Sequence, residues 1–527
     1  MKKYLAKRIL FSIFSLLVVT MVVMFLVYTC INRNVIFQMD DVWNKRNGND
    51  RTVYEYIQYQ KYGYLDFTDY TTFLGAKYKA LLGDEYTKDA AFIADKNVIQ
   101  NASDFQSNES VQEFVKEYAS KGYNIKYIPP MTYKSGKIKP GGNAYLIAER
   151  ERSVFLRLWD YVKGFITFET VNDVNDESLT DRYVRFEKDP YSGMFAVVGS
   201  GTTHKYLLYF DGRFPFIHQN WIHLNLGTSY TTYRGQEITE VMGNPTGDLK
   251  TVRTQYPNQL GTDEYVDTAI DFHSLRYNSG TVSETDRALF PDNYTVYSYN
   301  RTGMSILETS FVIGLMATVL QYLLGVPLGI WMARHKDGIG DKIGNAYIIF
   351  IMAVPSLAYI FMFSAIMVMA FKLPYKFATA EVKIVAYIMP TISLALPWIG
   401  SLMKWTRRYM IDQMNSDYVK FARSQGLSER EIYNTHISRN AIIPIVHGIP
   451  ANILGCLTGA LITERVYGVP GVGNLLITAI NSHDNGVIVA CTVFYTTLSI
   501  ISLILGDILL AAYDPRIKLS SEGGGGR

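Results

Sequence analysis

The sequence predicts an all-α polytopic membrane protein with an inserted extracellular α+β domain. Three observations support this fold class. Several apolar stretches are close to the roughly 20 residues that a bilayer requires. A long polar segment separates the first stretch from the second. Positively charged residues recur in alternate loops between the stretches. The 527 residues exceed what one hydrophobic core usually holds. The mean hydropathy lies near zero, as an average over one apolar and one polar region would.

The first apolar stretch runs from Ile9 to Val27 and follows a basic start. A signal peptide shares these two features, but the stretch is longer than a typical signal core and no Ala-x-Ala pattern follows it. A lipoprotein cleavage site at Cys30 is a second alternative, for which the two preceding residues are poor matches. We therefore predict an uncleaved transmembrane helix within residues 1–30.

Five further apolar stretches predict five more spans. They cover approximately residues 308–333, 345–371, 383–403, 441–463 and 486–512. Prolines interrupt or start these helices at Pro355, Pro390, Pro397, Pro444 and Pro450. Proline is tolerated in a span where neighbouring helices satisfy the freed backbone groups. Helices bent around a pathway and kinks that only aid packing are both consistent with this pattern.

The positive charges of the short loops predict the orientation. Basic residues concentrate before the first span and in the loops after the second and fourth spans, which places both termini in the cytoplasm. The predicted units are a first transmembrane helix (1–30), an extracellular domain (31–303), a five-helix transmembrane domain (304–516) with a cytoplasmic loop at about 404–440, and a cytoplasmic tail (517–527).

The segment 31–303 is polar and holds about two thirds of the 39 tyrosines. Frequent aromatic residues and the absence of low-complexity runs predict a folded domain rather than a linker. Residues 144–148 and 204–210 have the composition of strands, and residues 108–121 have the pattern of a helix. The segment 31–300 contains no cysteine, which favours a Gram-positive surface over compartments where disulfides are common.

Several function classes lack their sequence signatures. The net charge of +3 and the absence of a basic block argue against nucleic-acid binding. There is no G-x-x-x-x-G-K-[ST] phosphate loop, so ATP binding by that route is not expected. The eight histidines are scattered without a His-Glu-x-x-His pattern, which argues against a zinc site. We therefore predict no catalytic residues, no metal site and no enzyme activity.

The loop 417–444 combines a short helix, a glycine stop at Gly426, and a second helix opened by Ser428 with Glu431 three residues later, a capping-box pattern. Helical spacing places four residues of the first helix on one face: Tyr418, Phe421, Ala422 and Gln425. The apolar side of this helix needs a cover. A partner protein, the membrane surface and the chain's own helices are the alternatives.

This loop resembles the coupling loop of the permease subunits of binding-protein-dependent ABC importers, whose pattern is Glu-Ala-Ala…Gly. Ala422 and Gly426 match that pattern, while Lys420 and Phe421 replace its first two residues. The resemblance implies the six-helix type I ABC importer fold and a coupling helix that sits in a groove of an ATPase. The ATPase-coupling residues that it implies are Tyr418, Val419, Phe421, Ala422, Gln425, Gly426 and Leu427.

Further motifs resemble the same family in the same order along the chain. They are Asn225–Gly227, Gly325–Gly329, Arg439–Pro444, Thr463–Gly473 and Asp514–Ile517. The segment at about 31–215 is similar to the enlarged outer loop of Gram-positive oligopeptide permeases of the Ami type. The chain thus resembles the B-type subunit of an Opp/Ami-like permease.

The resemblance implies a subunit of an ATP-driven oligopeptide importer in the bacterial cell membrane. The implied partners are a homologous second permease subunit, two ATP-binding subunits that carry ATP and Mg, a lipid-anchored oligopeptide-binding protein, the peptide substrate and membrane lipid. No cofactor is expected on this chain. The alternatives are an importer of nickel or of signalling peptides, and a membrane sensor with an extracellular ligand-binding domain. The sensor is disfavoured because no cytoplasmic signalling domain is present.

Overall fold

The computed structural model describes residues 2–30, 33–37, 40–101, 105–173, 180–188, 194–200, 207–210, 217–233, 235–245, 247–255, 265–271, 298–455 and 460–513. Within them, four helices are long and apolar enough to cross a membrane. These are α1 (Lys2–Cys30), α9 (Ile306–Arg334), α12 (Lys383–Met414) and α19 (Asn485–Tyr513). All four contain apolar stretches that the sequence singles out as spans.

The predicted span 345–371 is two helices rather than one. Helix α10 (Ile339–Ala353) and helix α11 (Ser356–Phe371) meet at an angle of 115°. Pro355 lies in the break and Val354 before it is extended, as the steric restriction on a residue preceding proline requires. The pair is therefore one broken span or a re-entrant segment, and the interruption predicted at Pro355 is confirmed.

The predicted span 441–463 is also divided. Its residues belong to α15 (Ser438–His447), α16 (Ile449–Gly455) and α17 (Leu461–Tyr467), while residues 456–459 lie outside the described part of the chain. None of these three helices is long enough to cross a bilayer alone. A short helix, α18 (Val472–Asn481), then precedes α19.

Close packing of α9 against α12 explains the glycines of the Gly325–Gly329 motif. A Cβ built at Gly325 would lie 3.0 Å from the Cβ of Leu402, and one built at Gly329 would lie 2.6 Å from the Cβ of Thr406. Small residues let two helix backbones approach closely in a membrane, where dispersion contacts replace the hydrophobic effect. The motif therefore fixes the central helix pair of the bundle.

The segment between α1 and α9 is a mixed α/β region. Its helices are α2 (Asp41–Lys45), α3 (Gly48–Lys61), α4 (Tyr70–Leu82), α5 (Ala90–Val98), α6 (Glu109–Ser120), α7 (Val154–Phe165) and α8 (Ile238–Gly243). The helix predicted at 108–121 is confirmed as α6, whose N-cap residue Asn108 accepts a hydrogen bond from the Val111 N–H through its side chain.

Fifteen strands are described in the same region. They are β1 (Leu65–Asp69), β2 (Asn124–Ile128), β3 (Tyr145–Glu151), β4 (Ile166–Phe168), β5 (Val184–Lys188), β6 (Phe195–Gly199), β7 (Leu208–Phe210), β8 (Ile217–Gln219), β9 (Ile222–Leu224), β10 (Thr228–Ser229), β11 (Gln236–Glu237), β12 (Val252–Gln255), β13 (Tyr265–Thr268), β14 (Ile270–Asp271) and β15 (Ser298–Tyr299). The strand predicted at 144–148 is confirmed as β3. Of the strand predicted at 204–210, β7 is the described part, and residues 204–206 lie outside the described residues.

The two largest sheets described in this region are antiparallel. The first has the order β1–β3–β2, and helices α4, α5 and α6 pack on it around a core that includes Tyr70, Phe114 and Leu146. The second has the order β5–β6–β7–β8. Tyr64 and Tyr70 are both 0% exposed, so part of the tyrosine content builds the interior of this region rather than its surface.

Candidate functional site

The loop between α12 and α15 contains α13 (Asp417–Ser424), the predicted coupling helix. It ends because Gly426 adopts a left-handed conformation with φ of 80°, which costs glycine little. The Leu427 N–H donates to the Ala422 carbonyl at 3.3 Å and closes the helix end. The glycine stop predicted from the sequence is therefore confirmed.

The second helix of the loop begins at Ser428, as predicted. Its hydroxyl accepts from the Glu431 N–H at 3.3 Å, which is one half of a capping box; the structure describes no reciprocal bond from the Glu431 side chain. The short helix α14 (Glu429–Glu431) continues through a π-helical turn, Ile432–Ile437, into α15.

The inner side of α13 packs on the chain's own helices. Val419 is 0% exposed and Ala422 is 5% exposed. They belong to one apolar cluster with residues from the adjoining ends of α9, α12 and α15 and from the π turn: Ala333, Met410, Ile432, Tyr433, Ile437 and Ala441. Burial of a valine side chain contributes about 1.5–3 kcal/mol relative to exposure, so α13 is anchored to the ends of three longer helices.

The outer side of α13 presents the other predicted residues. Phe421 is 64% exposed and Tyr418 is 37% exposed. Gln425 and Gly426 are exposed as well, and Leu427 is half-buried. The sequence places Tyr418, Phe421, Ala422 and Gln425 on one face, but the structure separates Ala422 from this group, because it lies on the packed side beside Val419.

Two ion pairs flank the exposed side. The Arg423 guanidinium contacts the Glu429 carboxylate at 2.7 and 3.3 Å, and Lys420 contacts Asp417 at 2.9 Å. These partners lower the pKa of Glu429 and of Asp417 from their ordinary values. All four side chains are exposed, so each pair contributes little to stability. The Arg423–Glu429 pair nevertheless joins α13 to α14 across the Gly426 turn and orients the two helices.

A buried ion pair on the same side of the bundle was missed by sequence reasoning. Arg407 of α12 donates from Nε and a terminal nitrogen to both Asp341 oxygens, at 2.6 and 2.7 Å. Asp341 is 1% exposed and also accepts from the Asp337 N–H and the Asn345 amide. The pair fixes the start of α10 to α12. In the sequence, this pair is visible only as an acidic residue beside an apolar stretch. The structure identifies its arginine partner on another helix.

The motif Thr463–Gly473 folds around a second buried carboxylate. Glu464 is 1% exposed and accepts from the Ser310 hydroxyl of α9 at 2.8 Å and from the Asn474 N–H at 3.0 Å. A Cβ at Gly471 would overlap this carboxylate, and one at Gly473 would overlap Leu461 and the carboxylate. The two glycines therefore make room for Glu464. The sequence marks this motif, but only the structure shows that it is built around an acid.

A polar junction attaches the α/β region to the bundle. The Asn485 amide at the start of α19 donates to the Tyr64 hydroxyl at 2.7 Å, and Arg157 of α7 donates to the Tyr64 carbonyl at 2.7 Å. The Arg157 guanidinium also lies 4.8 Å from the ring centre of Tyr28 near the end of α1. Next to Asn485, Asp484 accepts from the Ser229 hydroxyl at 2.6 Å. These contacts join residues far apart in the sequence, so sequence patterns did not reveal them.

The features described above lie at two ends of the helix bundle. One end carries α13, a short helix with an anchored side and an exposed side; the other carries the α/β region, held on the ends of α1 and α19. Among the described residues, no group of three or more His, Cys, Asp or Glu side chains is placed to hold a metal ion.

Comparison with known proteins shows which family shares this arrangement. Residues 325–519 match the family model described as the binding-protein-dependent transport system inner membrane component. The oligopeptide transport system permease protein AmiC of Streptococcus pneumoniae is 34% identical over 536 residues, covering 99% of this chain and 100% of its own.

Two shorter permeases match a smaller share of the chain. The dipeptide transport system permease protein DppB of Lactococcus lactis is 32% identical and covers 40% of this chain and 70% of its own. The DppB protein of Bacillus subtilis is 29% identical and covers 41% of this chain and 69% of its own. A solved structure of the MetNI methionine ABC transporter has 11% identity and a TM-score of 0.30, covering 39% of this chain and 93% of its own, a similarity too low to carry an argument.

The AmiC match extends over the α/β region as well as the helical part, at an identity that chance does not produce over this length. The chain therefore belongs to the family of membrane-spanning permease components of binding-protein-dependent transport systems.

Proposed function

We propose that this chain is a transmembrane subunit of an ATP-driven oligopeptide importer. The observation that carries the proposal is the match to AmiC along 99% of the chain, because it includes the α/β region that precedes α9. A permease subunit of this family provides part of the transport pathway and transmits the movement of the ATPases to it, and it has no ATPase site of its own. ATP and Mg would be bound by two cytoplasmic ATP-binding subunits.

The proposed topology has six spans. Five are α1, α9, the broken pair α10–α11, α12 and α19, and the sixth is the predicted span 441–463, whose described part includes α15 and α16. The distribution of basic loop residues supports cytoplasmic termini and an extracellular position for residues 31–303 in a bacterial cell membrane.

The exposed side of α13 is the proposed contact with an ATPase. Phe421 supplies an exposed aromatic ring, the type of residue that dominates binding energy when it is buried at an interface. Val419 and Ala422, on the packed side, connect α13 to the ends of α9, α12 and α15. A displacement of α13 by a closing ATPase would thus move three helices together as a rigid body.

The α/β region is the proposed receiver of a lipid-anchored oligopeptide-binding protein. It is firmly attached to α1 and α19 through the Tyr64, Arg157 and Asn485 junction. Docking on this region would therefore place the binding protein above the pathway formed with a homologous second permease subunit.

The test is uptake in the native host. Deletion of the gene for this chain is expected to abolish uptake of an isotope-labelled pentapeptide, and a plasmid copy is expected to restore it. Radioactive nickel uptake and the response to signalling peptides are measured in the same strains. Normal pentapeptide uptake in the deletion strain would remove the proposal, and loss of nickel uptake alone would favour the nickel alternative.

A further inference from the structure

Helix α7 is apolar on two adjacent sides. The first side carries Val154, Leu158, Tyr161 and Phe165, which recur at helical spacing and pack against a core cluster. That cluster contains residues from the ends of several membrane helices: Met24 of α1, Ile306 of α9, and Val487 and Val489 of α19. One side of α7 is thus held across the place where these helices end.

The second side of α7 is apolar and open. Phe155 is 74% exposed, Trp159 is 66% exposed and Val162 is 37% exposed. In β4, which follows the helix directly, Ile166 and Phe168 are also exposed, at 44% and 68%. Contiguous apolar surface of this kind on a folded protein marks a protein or membrane contact. We call these five residues the α7 stripe.

The polar residues of α7 lie on the remaining third of the helix, together with Leu156, which is 56% exposed. Each residue of a helix turns about 100° around the helix axis. Asp160 is therefore rotated by about 100° from Trp159. Arg157 is rotated further from Trp159 in the same direction. Lys163 falls at the margin of the α7 stripe, where a long side chain can keep its charge at the level of lipid headgroups. A helix with a broad apolar arc, a polar arc and tryptophan at the margin is typical of segments that lie in a membrane interface.

The position of α7 relative to α1 indicates what covers the stripe. Arg157 stacks on Tyr28 near the end of α1, at 4.8 Å. In that last part of α1, Phe25 is 54% exposed and Leu26 is 50% exposed, as expected of side chains that face lipid. Arg157 itself lies on the side of α7 away from the stripe, but the stripe adjoins the side that packs on Met24 of α1, Ile306 of α9 and Val487 of α19. These residues lie near the ends of apolar spans, and aromatic side chains are enriched where spans meet the membrane surface.

We propose that α7 is an interfacial helix whose stripe is inserted among the lipids at the membrane surface. The lipid contact would hold the α/β region at a fixed height and tilt above the bundle. That the leaflet is the outer one rests on the proposed topology; the lipid contact itself does not. A second permease subunit and the binding protein are the other occupants that an apolar stripe could accept, and they are distinguished by the test.

The test uses the complete transporter complex in nanodiscs of phosphatidylglycerol and phosphatidylcholine. A nitroxide label is attached to Phe155→Cys or Trp159→Cys, in a background in which the three native cysteines are replaced. Phe25→Cys is the lipid-facing reference, and Asp160→Cys, on the polar side of α7, is the water-facing reference. Collision rates with dioxygen and with a water-soluble nickel chelate are measured by electron paramagnetic resonance.

Positions 155 and 159 are expected to resemble position 25, with a ratio of dioxygen to nickel-chelate collisions several-fold above that at position 160. Low collision rates with both reagents would mean that protein covers the stripe, and high rates with the nickel chelate would mean water. Either result overturns the proposal. Peptide uptake is assayed with the same variants in proteoliposomes, so that a failure of the importer function is recognised separately from a failure of the lipid contact.

Discussion

Phe421 and Ala422 are sequence neighbours on different sides of α13, with 64% and 5% of their surfaces exposed. The alanine supports the helix on the chain's own core, and the phenylalanine is available to a partner. A substitution at Ala422 therefore disturbs the packing of this chain, and a substitution at Phe421 tests the proposed ATPase contact.

Replacement of Phe421 by alanine is expected to lower peptide uptake about tenfold or more, since truncation of a central interface aromatic commonly costs about 2 kcal/mol or more. The thermal midpoint of the purified chain should not change, because the ring makes little contact within it. Phe421→Tyr keeps the ring and is the matched control. Wild-type uptake and ATPase stimulation in Phe421→Ala would remove α13 as the coupling helix.

A substitution at Gly426 can have two effects: it can strain the backbone, and it can fill the open space beside the helix end. Its φ of 80° makes Gly426→Ala unfavourable by about 1 kcal/mol, whereas asparagine tolerates this conformation better. A Cβ at this position would meet no atom within 4 Å. Gly426→Asn should therefore preserve the thermal stability of the isolated chain and still reduce uptake, because the open space would be filled by the ATPase. Unchanged uptake would show that no partner approaches Gly426 closely.

The long apolar stretches were sufficient to predict most of the bundle, because a bilayer demands such stretches. The span predicted at 308–333 is α9, Ile306–Arg334. The span predicted at 383–403 is contained in α12, which continues to Met414. Apolar composition marks the part of a helix within the lipid. Helix α12 extends beyond that part, so that Arg407 reaches Asp341 and Met410 reaches the apolar cluster that holds α13.

The arrangement within the candidate site was less accessible to sequence reasoning. Helical spacing grouped Ala422 with Phe421 on one face. Both sides of this helix carry apolar residues, and spacing cannot show which side is covered by the chain itself. The contacts of Glu464 with Ser310 and of Asn485 with Tyr64 join residues separated by 154 and 421 positions. Such pairs follow from the tertiary fold, and single polar residues in an apolar context are the only sequence sign of them.

The ion pair of Asp341 with Arg407 is expected to stabilise the end of the bundle that carries α13. Asp341→Ala would leave the arginine without its partner in a mostly buried position, at a cost of about 3 kcal/mol. Arg407→Lys keeps the charge and loses the two-nitrogen geometry, so an intermediate loss is expected. Thermal unfolding of the purified single and double variants gives the coupling energy. Additive effects of the two substitutions would show that the pair makes no net contribution.

The hydrogen bonds of Asp95 predict that the α/β region loses stability in acid. Burial raises its pKa, but hydrogen bonds from Ser110, Asn108 and Tyr78 outweigh burial, and the net effect lowers the pKa below its ordinary value. A carboxyl group with a lowered pKa in the folded state stabilises that state above its unfolded pKa, and this contribution is lost as the pH falls through the folded pKa. Asp95→Asn should therefore reduce stability at neutral pH and flatten its decline in acid. An unaltered pH profile, followed by tyrosine fluorescence of the whole chain, would contradict this role.

The orientation of the chain can be tested at two exposed serines. Ser135 lies in a loop of the α/β region and Ser428 follows α13. The basic residues near Ser428 are costly to translocate, whereas the segment that contains Ser135 has no span of its own. In a variant with Cys30 replaced, because that thiol is exposed, Ser135→Cys should react with a membrane-impermeant maleimide in intact cells. Ser428→Cys should react only after permeabilisation, and labelling of position 428 from outside would reverse the proposed topology and remove α13 from the cytoplasm.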